Sequence, residues 1–312
     1  MNRPRYSVVI PVYNTTTALV DLCNSLKNIF NDLGILNFEI ILINDSSPNK
    51  ETWDTLDRLG RSEDIYVIHL TKNFGQQAAT YCGLVEAKGD FVITMDDDMQ
   101  HHPSQLPSLL AYTSEFDIVV GHFKEKKHTF FKRFTSRIKE RFDRIILGKP
   151  KGIQLSAYRV LSRPVVDGII SIKTPSPFIS SMMFYVSKSI KGVEIEHFSR
   201  EEGVSGYTFR SLLKLFSFLL INNSSLLLKL VGRIGLFVLG ISFIVSIFIF
   251  VNALYGRYNV AGWTSVILAV FFFGGLQLFA IGIIGEYLIR IINYTELKPA
   301  YCILKTNKNT HD

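Results

Sequence analysis

The sequence predicts an α/β fold: a buried, mainly parallel sheet with helices on both faces, joined to amphipathic interfacial helices and two C-terminal transmembrane helices. Three observations predict it. Within the first 122 residues, five near-continuous apolar runs alternate with helix-like runs, the pattern of a sheet covered on both sides. Two later stretches, 234–251 and 259–285, contain no charged residue. Of the 312 residues, 47% are hydrophobic and only 20% charged, against about a quarter charged in soluble domains.

The composition also excludes classes. A mean hydropathy of +0.22 and 24 Phe argue against a disordered chain and against a purely soluble enzyme. The 34 basic and 27 acidic side chains leave a net charge of +7. Cys23, Cys82 and Cys302 lie too far apart for a disulfide framework or a zinc site, which points to a reducing compartment. The N-terminus, Met1-Asn2-Arg3-Pro4-Arg5 and then a strand, has no signal-peptide core.

The predicted strands are Tyr6–Val12, Phe38–Asn44, Ile65–Leu70, Phe91–Met95 and Phe116–Val120. Their apolar residues run almost unbroken, and polar turn residues stop each one. The predicted helices between them are Ala18–Asn31, Glu51–Arg61, Gln76–Ala87 and Pro103–Tyr112. Ligands of such sheets bind beyond the carboxyl ends of the strands. The segments found there are Pro11-Val12-Tyr13-Asn14, Asn44-Asp45-Ser46-Ser47-Pro48, Lys72-Asn73-Phe74-Gly75 and Asp96-Asp97-Asp98-Met99-Gln100. The Asn44–Pro48 segment alone reads as a turn.

The acidic run carries chemistry. Three carboxylates at the end of an apolar strand repel one another, and a cation relieves them. Asp96 and Asp98 leave the strand close together and reach one ion. Oxygen ligands suit Mg²⁺ or Mn²⁺, which complete their shells with substrate phosphate oxygens. The competing reading is a hydrated turn, with Asp98 capping the next helix. His101 and His102 lack a spaced third ligand and read as loop residues. A dinucleotide fingerprint, a P-loop and a nucleophile elbow are all missing from the sequence.

Residues 124–149 hold ten basic and three acidic side chains, a net of +7. Phe130, Phe131, Phe134, Ile138, Phe142, Ile145 and Ile146 recur at helical spacing among them. This predicts an amphipathic helix on an anionic membrane surface, or else a solvated helix packed on its own domain. No nucleic-acid recognition module accompanies the charge, so no nucleic-acid partner is expected. Each uncharged stretch is about long enough, at roughly 1.5 Å per helical residue, to cross a hydrocarbon core of about 30 Å. Lys229, Arg233, Arg290, Lys298, Lys305 and Lys308 flank the pair, and Arg257 is the lone charge in the link 252–262. That bias predicts both termini on the cytoplasmic side.

Tyr6–Asn14, Asn44–Pro48, Lys72–Ala78 and Met95–Pro103, followed by an apolar hairpin ending Gly285-Glu286-Tyr287-Leu288-Ile289-Arg290, together resemble the polyprenyl-phosphate glycosyltransferases of glycosyltransferase family 2. The resemblance spans roughly residues 6–301. It implies a GT-A, Rossmann-like domain that binds a nucleotide sugar. By resemblance, Pro11, Tyr13, Asn14, Asn44, Asp45, Lys72 and Asp97 contact the nucleotide sugar. Asp96, Asp98 and Gln100 match the metal motif, and Asp96, Asp98 and Arg200 are the expected catalytic residues. Lys126, Arg133, Arg159, Ser205 and Tyr207 are expected at the lipid phosphate.

Departures from the family pattern are specific. Thr15 replaces a usual Glu, Lys72 and Phe123 replace Arg, Gly206 replaces Lys, and Asn44-Asp45-Ser46-Ser47 replaces Asp-Asp-Gly-Ser. No carboxylate lies within 152–158, where relatives carry a proposed base. An ionised phosphate acceptor removes the need for one, because the second phosphate pKa is about 6.

The expected organisation is a catalytic domain over 1–209, with its interfacial segment at 128–147, and a juxtamembrane helix over 210–230. A transmembrane hairpin follows over 231–291, with spans at about 232–255 and 261–287, and a cytoplasmic tail over 292–312. The expected activity is metal-dependent, inverting transfer of a hexose-type sugar from a UDP-sugar to polyprenyl phosphate at a bacterial plasma membrane, in a homo-oligomer that relatives suggest is a tetramer. The expected pathway is surface polysaccharide or lipopolysaccharide modification. The alternative is a catalytically silent sugar-nucleotide scaffold or sensor.

Overall fold

The structure, a computed structural model, describes residues 5–123, 149–150, 153–154, 156–196 and 298–307, with scattered positions between 262 and 295. The chain divides into two compact units, Met1–Gly206 with Lys298–Asp312, and Tyr207–Leu297.

The first unit is built on one sheet. Its strands are β1 (Tyr6–Val12), β2 (Phe38–Asn44), β3 (Ile65–Leu70), β4 (Phe91–Thr94), β5 (Ile118–Phe123), β6 (Arg159–Ser162), β7 (Ile190–Ile195) and β8 (Ile303–Thr306). Their order is β7-β5-β6-β4-β1-β2-β3-β8. Among the described residues, β1–β2, β1–β4, β2–β3 and β5–β7 pair parallel, whereas β4–β6, β5–β6 and β3–β8 pair antiparallel. The sheet is therefore mixed around a parallel centre. The helices are α1 (Thr17–Asp32), α2 (Lys50–Leu59), α3 (Gln76–Glu86), α4 (Leu106–Leu110), α5 (Arg163–Ser171) and α6 (Ile179–Val186).

Strand alternation divides the core in two. Val8, Ile10, Val12, Ile40 and Leu42 face Leu19, Leu22, Leu26 and Phe30 of α1, Leu56 of α2, and Leu106 and Leu109. Val9, Ile41, Ile43 and Ile68 face Ala79, Cys82 and Leu84 of α3, Val165 and Ile169 of α5, and Ile179 and Met183 of α6. In α1 the buried residues recur every three or four positions, so one stripe meets the sheet. Helix α2 starts on an Asn49 cap that accepts from Glu51 N, with Glu51 in its first turn and Arg58 in its last. Helix α3 packs very close: a Cβ on Gly83 would lie 2.3 Å from Val9 Cγ1.

Most expected boundaries hold to within two residues, and two elements depart further. Strand β5 starts two residues later than expected and runs on to Phe123, because its pairing with β7 continues from Ile118 to Phe123. The expected helix Pro103–Tyr112 is a 3-10 turn, Pro103–Gln105, followed by α4. Among the described residues no helix is long and apolar enough to cross a membrane. The first uncharged stretch, most of the second, the juxtamembrane helix and the interfacial segment lie outside the described residues.

Candidate active site

The chain runs β1, β2, β3 toward one edge and then crosses to β4 on the other side of β1. Between β1 and β4 the direction of winding reverses, and such a switch point opens a crevice at the carboxyl ends of the strands. Three non-glycine residues with left-handed backbones sit on the loops at this rim: Asn14 (φ 63°), Ser46 (φ 53°) and Met99 (φ 60°). They are the only such residues among the described ones. Each costs conformational energy, and such costs concentrate where a site must hold its shape.

The carboxylates lie in the crevice. Asp97 joins the two strands that flank it: its Oδ2 accepts from Tyr13 N at 3.1 Å and from Thr15 Oγ1 at 2.6 Å. Burial raises its pKa, and those two donors oppose the shift. Asp96 is pushed up to about 7, first by burial and then by the charges of Asp98 and Asp97, while Arg159 and a hydrogen bond from Gln76 Nε2 pull it down. Asp98 Oδ1 accepts from Gln100 N at 3.1 Å. Asp98 does not cap the following turn; His102 does, through Ser104 N. Like charges held together at a buried strand end are the condition that a divalent cation relieves. The described residues contain no cluster of three His, Cys, Asp or Glu for an all-protein metal cage. A carboxylate pair suits Mg²⁺ or Mn²⁺ that takes its remaining ligands from a phosphate and water.

The second loop is fixed from both sides. Asn44 is fully buried; its Oδ1 accepts from Ser47 N at 2.9 Å and its Nδ2 donates to His69 Nδ1 at 3.0 Å. Ser47 Oγ accepts from Asn14 N at 3.0 Å, which ties the β2 loop to the β1 loop. Asp45 accepts from Phe74 N at 2.7 Å and Gly75 N at 2.8 Å. Burial raises its pKa and those amides lower it. The anchored segment starts α3 from Gly75, whose φ of 92° suits glycine. Lys72 is exposed, its Nζ 5.1 Å above the Phe74 ring. Pro11 is buried within β1, and Tyr13 is about half exposed at the rim.

Two expected ligand contacts become supporting residues. Both polar ends of Asn44 are used inside the protein, so it shapes the turn from beneath. Arg159, expected at the lipid phosphate, is buried: its Nε donates to Thr94 Oγ1 at 3.1 Å and its Nη1 to Ser180 Oγ at 3.3 Å. Burial lowers its pKa to about 10 and Asp96 opposes the shift, so it stays charged at neutral pH beneath the carboxylates. Lys126, Arg133, Arg200, Ser205 and Tyr207 lie outside the described residues.

Thr15 and Ser47, seen in the sequence only as departures from a family pattern, join the site as supports, and Gln76, His69 and Trp53 join it without having been singled out. Gln76 opens α3 directly after the Lys72–Gly75 loop, a position that faces the rim in any parallel sheet. The others carry no local signal.

Residues 7–170 match the family model described as glycosyl transferase family 2. The undecaprenyl-phosphate 4-deoxy-4-formamido-L-arabinose transferase of Proteus mirabilis (strain HI4320) is 29% identical over 99% of this chain and 97% of its own. The uncharacterized glycosyltransferase YkcC of Bacillus subtilis (strain 168) is 27% identical over 97% of this chain and 94% of its own. Among solved structures, glucosyl-3-phosphoglycerate synthase from Mycobacterium tuberculosis, in complex with Mn²⁺ and UDP-glucose, superposes with a TM-score of 0.51. It is 17% identical and covers 70% of this chain and 77% of that one, a likeness of fold. With a family match over half its length and the acidic strand end, strained rim and switch point in place, the chain belongs to glycosyl transferase family 2.

Proposed function

We propose that this protein is an integral membrane glycosyltransferase that moves a hexose-type sugar from a UDP-sugar to polyprenyl phosphate, with inversion at the anomeric carbon. One observation carries the reading: Asp96, Asp97 and Asp98 stand at the switch point, with Asp97 tied across to the β1 loop. The full-length relative that is named an undecaprenyl-phosphate transferase supports the acceptor. The solved neighbour in complex with Mn²⁺ and UDP-glucose supports the donor and the metal.

Asp96 and Asp98, with Gln100 beside them, would hold a divalent cation. Bound there, it would neutralise the diphosphate leaving group. The chain's own part is to bind and orient. Tyr13, Asn14, Asp45 and Lys72 surround the place for the nucleoside. Buried Arg159 sets a fixed positive charge beneath the carboxylates. The acceptor phosphate oxygen forms the new bond to the anomeric carbon, and the bond from that carbon to the nucleoside diphosphate oxygen breaks. The products are a sugar-phosphate diester and UDP. The described residues of 152–158 carry no carboxylate, and none is needed where the attacking oxygen is already ionised. Lys126, Arg133, Arg200, Ser205 and Tyr207 are proposed at the diphosphate and lipid phosphate.

The membrane reading rests on the two uncharged stretches. It is supported by Val266, Phe273, Ile284, Leu288 and Ile291, helical positions of the second unit whose apolar side chains are 40–60% exposed, a surface suited to lipid. We place the transmembrane hairpin over 231–291, the interfacial segment at 128–147 and both termini in the cytoplasm. Oligomerisation and a role in surface polysaccharide or lipopolysaccharide modification complete the proposal.

The missing carboxylate favours one second reading, a silent sugar-nucleotide scaffold. Purified full-length protein, incubated with labelled UDP-sugars, undecaprenyl phosphate and Mn²⁺ and analysed by thin-layer chromatography, separates the two. A lipid-linked sugar supports transfer. Nucleotide binding without that product overturns it in favour of the scaffold.

A further inference from the structure

Strand β8 joins the sheet edge beside β3 although well over two hundred residues separate the two in sequence. Asn307, just past its end, holds the junction between α2 and β3. Its Oδ1 accepts from Val67 N at 2.7 Å, and its Nδ2 donates to Gly60 O at 2.7 Å and Ile65 O at 3.0 Å. Lys305 reaches Asp57 of α2, its Nζ 3.2 Å from Oδ1 and 3.1 Å from Oδ2.

From Asp57 the contacts continue inward. Asp57 Oδ1 lies 3.3 Å from Nε2 of His69, which is 1% exposed. The Asn44 amide settles the tautomer. Its oxygen is taken by Ser47 N, so its NH₂ faces His69 Nδ1, and the ring proton sits on Nε2 toward Asp57. Trp53, one turn before Asp57 on α2, stacks on His69 with centroids 4.5 Å apart and planes at 12°. Its Nε1 donates to Ser47 O at 2.7 Å. Both backbone polar groups of Ser47 are thus held by residues that lead back to β8, and Ser47 Oγ carries the contact on to Asn14.

We propose that Lys305 and Asn307 of the C-terminal strand are positioning residues for the donor turn Asn44–Ser47, acting through Asp57, His69 and Trp53. The inference rests on reading that turn as part of a nucleotide site. A turn with left-handed Ser46 at its centre relaxes when its supports loosen, and binding must then restore the competent shape. Gly60 gives an indirect handle. Its φ is an ordinary −67°, but an added Cβ would lie 2.8 Å from Asn307 Nδ2 and 3.0 Å from Val67 Cγ2.

The test is hydrogen–deuterium exchange on the full-length protein, comparing wild type with Asn307→Ala, Gly60→Ala and Lys305→Met. The expected result is faster exchange in peptides covering 44–49 as well as 57–67. Affinity for UDP with Mn²⁺ should weaken about threefold in Asn307→Ala, whose side chain is exposed and whose hydrogen bonds are at most half-buried, and about twofold in half-exposed Lys305→Met. Donor KM should rise while kcat changes less than about twofold. Faster exchange confined to 57–67 overturns the proposal, as does unchanged UDP affinity. Lys305→Met keeps the test decisive should Asn307→Ala not fold. A wild type that binds no UDP overturns the nucleotide reading, and exchange at 44–49 then decides the coupling by itself.

Discussion

Thr15 Oγ1 donates to Asp97 Oδ2 at 2.6 Å, a contact between loops 82 residues apart that joins the ends of β1 and β4. The family pattern has a Glu at position 15, which would bring another negative charge against Asp97. Here a hydroxyl neutral at every pH of interest makes the link instead. Removing it by Thr15→Val leaves Asp97 with only the Tyr13 amide of that pair. Hydrogen bonds to charged groups contribute about 1.5–3 kcal/mol. Calorimetry should therefore show the thermal midpoint lowered by several degrees, and UDP affinity in the presence of Mn²⁺ weakened several-fold as the two loops loosen.

His69 gives a pH signature. Burial and the nearby Lys305 charge hold its pKa below the ordinary value, with Asp57 opposing. A histidine held neutral by the fold takes up a proton more readily when unfolded. Its contribution to stability is thus complete above the unfolded value, about 6.5, and is lost as pH falls through that value toward the folded one. The stability gap between wild type and His69→Gln, measured by denaturant unfolding of the solubilised protein, should shrink from pH 7.5 to pH 5.5. A gap that widens over that interval contradicts a neutral buried His69.

The three cysteines differ in environment. Burial pushes the Cys23 thiol up to about 12 and also raises Cys82, whereas Cys302 is exposed. The thiolate is the reactive form. A thiol reagent at pH 8 should label Cys302 in the native protein, and Cys23 and Cys82 only after denaturation. Peptide mapping by mass spectrometry reads the result.

Legibility in the sequence followed how local each cause is. Strands β1, β2 and β3 keep their expected limits because each is a continuous apolar run stopped by polar residues. Strand β8 was not legible. Ile303, Leu304, Lys305 and Thr306 have no strong strand pattern, and they become a strand because β3 offers an unpaired edge. The acidic rim was legible, since like charges at a strand end demand an explanation within five residues of sequence. Asn44 is expected as a ligand contact by resemblance, and Arg159 because a guanidinium fork suits a phosphate. Only the packing shows that Thr94 and Ser180 enclose one and that His69 lies beneath the other. Thr15 and Ser47 stand out in the sequence only as departures from a family pattern, because their partners are decided by which loops the sheet order brings face to face.

The central claim is that Asp96 and Asp98 grip a divalent cation against the leaving diphosphate, and Asp98→Ala tests it most directly. In a transfer assay with undecaprenyl phosphate, UDP-sugar and graded Mn²⁺, the variant should lose at least about a hundredfold in turnover, the scale on which one electrostatic stabiliser acts. Membrane insertion and the unfolding midpoint should stay close to wild type. Turnover equal to wild type, with the same Mn²⁺ dependence, would contradict the account.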